Sequence, residues 1–61
     1  MDWDEIFERA SHMLESAETE NDCIRAEELF KSILGRQDAG TMVAACRVKA
    51  EQLKNRQKQN N

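Results

Sequence analysis

From Trp3 to Ala17 the apolar residues return every three or four positions: Trp3, Ile6, Phe7, Ala10, Met13, Leu14 and Ala17. That spacing puts them on one face of a helix and is incompatible with the two-residue period of a strand. Asp2 and Glu5 stand at capping-box spacing ahead of it, and both acids suit a helix N-terminus. The chain has no proline and little clustering of β-branched residues, so no sheet is expected.

The first stripe does not continue through residues 18–22, which read ETEND. Carried onward, it would run near Glu20 or Asn21, Ile24, Glu27 or Glu28, and Lys31, and three of those four sites are polar. A new stripe starts instead with Cys23, Ala26, Phe30, Ile33 and Leu34, widened by Ile24 and Leu29. Thr19 with Asp22, or Asn21 or Asp22 alone, can cap this second helix. One long bent helix over residues 3–34 is the competing reading.

Gly35 is placed to end the second helix in the left-handed conformation, and Asp38 to cap a third. Gly40 weakens the third helix's first turn by up to about 1 kcal/mol relative to alanine. The expected fold is all-α, a small three-helix domain with helices at about 3–18, 22–34 and 39–55, and a polar, disordered tail over 56–61. The short GRQD connection folds the second and third helices into an antiparallel hairpin. Phe7, Cys23, Phe30, Ile33, Cys46 and Leu53 are expected in its core. Ala26 and Phe30 are similar to a fragment of the second helix of a tetratricopeptide repeat, and Trp3 and Ile6 to a fragment of its first. The spacing between them departs from that family's roughly 34-residue period, and no function is carried across.

Sixty-one residues make one domain, and a core this small rarely supplies more than about 3–5 kcal/mol unaided. Self-association or a protein partner is the usual remedy. The opening MDWDEIFE is acidic where a secretory signal is basic, and no apolar run is long enough to span a bilayer, so no membrane association and a cytoplasmic setting are expected.

Chemistry-bearing residues are sparse. His12 is the single histidine; Glu8 and Glu15 share its flank, but a metal site is not expected from so common a spacing. Cys23 and Cys46 are far from a CxxC motif. On an antiparallel hairpin they are offset by about one turn, so buried, reduced thiols are expected rather than a bond between them. No nucleophile constellation or phosphate cradle appears, and neither an enzyme nor a cofactor is expected.

Charge is divided along the chain. Residues 1–35 carry ten acids and three bases, and residues 36–61 six bases and two acids. Such polarity can orient a protein partner or present a basic end to nucleic acid. The apolar residues of the second and third helices also extend beyond a one-neighbour stripe. The leading expectation is therefore a non-enzymatic interaction protein: an adaptor, chaperone-like partner or inhibitor, self-associating as a homodimer, with Trp3, Leu29, Met42, Val43 and Val48 at its interface. The alternative is a small nucleic-acid regulator using Arg47, Lys54, Arg56 and Lys58.

Overall fold

A computed structural model of the chain describes residues 2–36 and 38–59, without the side chains of residues 57–59. It contains three helices: α1 (Trp3–Glu15), α2 (Glu20–Lys31) and α3 (Ala39–Gln59). The α2–α3 pair forms the expected antiparallel hairpin. Central α2 packs extensively on α3 and on α1, whereas α1 and α3 meet at few points. The bundle is elongated, 42 × 16 × 13 Å.

Each helix end has a local cause. The Asp2 carboxylate accepts from the Asp4 N–H at 2.9 Å and caps α1. At the other end, the Ser16 hydroxyl turns back to donate to the His12 carbonyl at 2.8 Å. Thr19 and Asp22 then form a reciprocal capping box. The Asp22 N–H donates to Thr19 Oγ1 at 3.2 Å, and the Asp22 carboxylate accepts from the N–H groups of Thr19 and Glu18. These bonds occupy the donors a continuous helix would use elsewhere. Residues 3–34 are thus two helices, not one.

The elements depart from the expected bounds in four places, the first being that α2 begins two residues early, at Glu20, because Thr19 is its cap. α1 stops at Glu15 and α2 at Lys31, each three residues early, because serines at 16 and 32 close the last turns. The Ser32 hydroxyl donates to the Leu29 carbonyl at 2.6 Å, and Ile33 N–H then bonds Phe30 in a tighter turn. α3 runs on to Gln59, so residues 56–59 are helical where a disordered tail was expected. The segment after Leu53 is built of Lys, Gln, Asn and Arg, mostly good helix formers, and its bases suit a helix C-terminus.

Gly35 is also a correction. No described glycine has a positive φ, so it is not a left-handed helix stop. Its lack of a side chain serves packing instead: a Cβ there would lie 2.6 Å from Trp3 Cη2 and 2.9 Å from Cζ3. Asp38 stands at the start of α3 as expected, its carbonyl accepting from the Met42 N–H at 3.2 Å.

The core joins Ala10, Leu14 and Ala17 to Cys23, Ala26 and Phe30 and to Val43, Cys46 and Leu53. Phe30 and Ile33 are its largest fully enclosed side chains, and Phe7 meets the Phe30 ring edge-on at a 5.4 Å centroid distance. Phe7, Cys23, Phe30, Ile33, Cys46 and Leu53 all take structural positions as expected, Phe7 from the core's margin. Among the described residues, no helix is long and apolar enough to cross a membrane.

Candidate interaction surface

The inner stripe of α3 is Ala39, Val43, Cys46, Ala50 and Leu53, at spacings of four, three, four and three. This decides where the expected interface residues fall. Val43 belongs to that stripe and is buried, so it faces α2 and not the outside. Leu29 and Met42 are half-buried against the core. Trp3 and Val48 are open, 50% and 58% exposed. The structure therefore does not bring the five together: three line or border the core, and two stand on separate surfaces.

Two exposed apolar residues escaped the sequence reading. Leu34 was expected in the core stripe, yet it is 56% exposed. The turn begun at Ser32 breaks the helical period, so Ile33 points inward and its neighbour outward. Ile24 is 44% exposed. At about 100° per residue it lies well around α2 from Cys23, Ala26 and Phe30, a signal the sequence already carried.

The basic residues separate by what they touch. Arg36 pairs with Asp4 and lies over the Phe7 ring, 4.0 Å from its centroid, pinning the α2–α3 connection to α1. Lys49 reaches from α3 to the end of α1, where its ammonium donates to the carbonyls of Leu14 at 2.6 Å and Glu15 at 3.1 Å. It thereby adds a charged donor at the last carbonyls of α1, of which Leu14's also accepts from the Ala17 N–H, and opposes the negative end of the α1 dipole. Arg47 meets Glu27 at 3.4 Å, and Lys31 meets the same carboxylate at 2.9 Å. The Lys31 hydrogen bond, aided by the charges of Lys31 and Arg47, holds the Glu27 carboxyl below its ordinary range.

Of the four bases expected to contact nucleic acid, Arg47 is thus engaged within the bundle, while Lys54 and Arg56 are exposed on the last turns of α3. The side chain of Lys58 lies outside the described residues. Among the described bases of α3, Arg47 and Lys49 each have a partner within the bundle.

Neither cysteine is bonded, and both are buried in the core. Burial pushes both thiols above their ordinary range, and for Cys46 the neighbouring Cys23 adds to the effect. A protonated, enclosed thiol is a poor nucleophile and a poor metal ligand. His12 is exposed on α1, and among the described residues no three His, Cys, Asp or Glu side chains are grouped to hold a metal ion.

No family model matches this chain, and no curated protein or solved structure matches it either.

Proposed function

We propose that this chain is a non-enzymatic protein-interaction module, of the adaptor, chaperone-like or inhibitor kind, that associates with itself. One observation carries the reading. Among the described residues, Phe30 and Ile33 are the only large apolar side chains fully enclosed, whereas Trp3, Ile24, Leu34 and Val48 are each at least 44% exposed. A chain with so small an interior gains most by covering such side chains against another protein surface. Cytoplasmic residence fits an acidic chain whose two thiols are kept reduced in its core.

Sedimentation equilibrium over a concentration series, at low and high salt, tests the reading. A mass rising above the 7.1 kDa of one chain, and persisting at high salt, is expected for an apolar contact. A single-chain mass throughout the series overturns self-association. Association with nucleic acid that collapses as salt rises would instead favour the exposed bases at the end of α3.

A further inference from the structure

We propose that two copies of the chain pair antiparallel through the outer face of α3, with Val48 at the two-fold axis. This rests on the interaction reading above and gives it a surface and a partner, a second copy of this chain.

The first ground is where α3 keeps its charges. At about 100° per residue, Val48 stands directly opposite the stripe of Ala39, Val43, Cys46 and Leu53 that folds the chain. A solvent-facing helix normally carries its charged residues on that opposite side. On α3 they avoid it. Arg47 and Lys54 border the core stripe on one side and Lys49 on the other, while Glu51 and Arg56 stand at the two margins of the outer face. The line along the outer face reads Thr41, Ala44, Val48, Gln52 and Asn55, uncharged throughout and exposed. Val48 is also the most exposed large apolar side chain described, at 58%.

The second ground is symmetry. Ala44 and Gln52 lie four residues to either side of Val48, and Thr41 and Asn55 seven to either side. Steps of three, four, four and three residues keep these side chains on one face of the helix. In an antiparallel pair, Val48 meets its own copy, Ala44 meets Gln52, and Thr41 meets Asn55. That register is the one a closed two-fold contact centred on Val48 sets, and disulfide trapping reads it.

Charge chooses the direction. Lys54 and Arg56 are exposed on the last turns of α3, and Asp38 is exposed at its start. The Arg36–Asp4 contact fixes the first turn of α1, with Asp2 and Glu5, at that same starting end. An antiparallel pair lays Arg56, at one margin of the outer face, beside Asp38 of the other copy, whereas a parallel pair keeps the two basic ends together, which is unfavourable.

Disulfide trapping tests the register. Ala44→Cys and Gln52→Cys are made as separate variants of the full chain and mixed in a glutathione redox buffer, with the native thiols remaining enclosed. The expected product is the mixed disulfide between positions 44 and 52. Disulfides joining 44 to 44 and 52 to 52, or products in merely statistical proportion, overturn the antiparallel pairing. Val48→Glu, an exposed change that keeps the helical circular dichroism, is expected to weaken association at least about tenfold. A dimer indifferent to Val48→Glu overturns the α3 face while leaving the interaction reading intact. A strict monomer at all concentrations overturns both.

Discussion

The Trp3 indole lies against Gly35 so closely that no side chain fits between them; a Cβ at residue 35 would meet the ring at 2.6 Å. This contact and the Arg36 bridge to Asp4 hold the α2–α3 connection against the first turn of α1. The end of the bundle is thus closed by contacts between the start of the sequence and its middle.

Gly35→Ala is expected to push the half-exposed indole into water. The expected cost is about 1 kcal/mol, at the low end for overpacking because Trp3 can swing outward. Trp3 fluorescence, the protein's only tryptophan signal, should shift to longer wavelength. Adding Trp3→Ala should make the change at Gly35 nearly neutral, the coupling expected of residues in contact.

Two nearby bases on α3 should behave differently although each removes one charge. Lys49→Met keeps the apolar stem but loses the two bonds to the end of α1, with an expected loss of about 1–2 kcal/mol. Arg47 pairs with Glu27 at the surface, and Arg47→Met should cost less than about 0.5 kcal/mol. Urea unfolding of the two variants separates a helix-capping ammonium from a solvated ion pair.

The hinge between α1 and α2 should be sensitive to acid. The Glu18 N–H, then the Thr19 hydroxyl, hold the Asp22 carboxyl below its ordinary value of 3.8. A carboxylate with a depressed folded-state pKa contributes stability above its unfolded value and loses it as pH falls through the folded one. The melting temperature should therefore fall more steeply below about pH 4 in the native chain than in Asp22→Asn. Parallel curves would show that the box adds no acid sensitivity. Thr19→Ala should cost about 1 kcal/mol at neutral pH.

The two thiols should be unreactive in the folded chain. Both are buried, and burial raises both above 9.0. A thiol reagent at neutral pH is expected to modify them only at the rate at which the bundle opens, and promptly in denaturant. Fast modification of native protein would contradict their enclosure.

Much of this fold was legible because its causes are local. The break at ETEND follows from Thr19 and Asp22 being three residues apart, and the places of Phe30 and Cys46 follow from helical period. What escaped depends on residues distant in sequence. Lys49 finds the end of α1 across about half the chain, and only the packed bundle sets that distance. Gly35 looked like a helix stop because glycine often is one; its actual neighbour, Trp3, lies at the other end of α1's pattern. Val43 and Met42 are adjacent in sequence and both are expected at the interface, but only the packed bundle shows that Val43 lines the inner stripe with Ala39 and Cys46. Leu34 was assigned inward because a helical period was carried through Ser32, where the structure turns.

The central claim is that α3 folds the chain with one face and meets a second copy with the other. A dilution series of amide NMR spectra tests it most directly. The amides of Thr41, Ala44, Val48, Gln52 and Asn55 should shift together on dilution, while those of Glu8 and His12 on the outer side of α1 stay fixed. Spectra unchanged across the series, or shifts confined to α1, would contradict it.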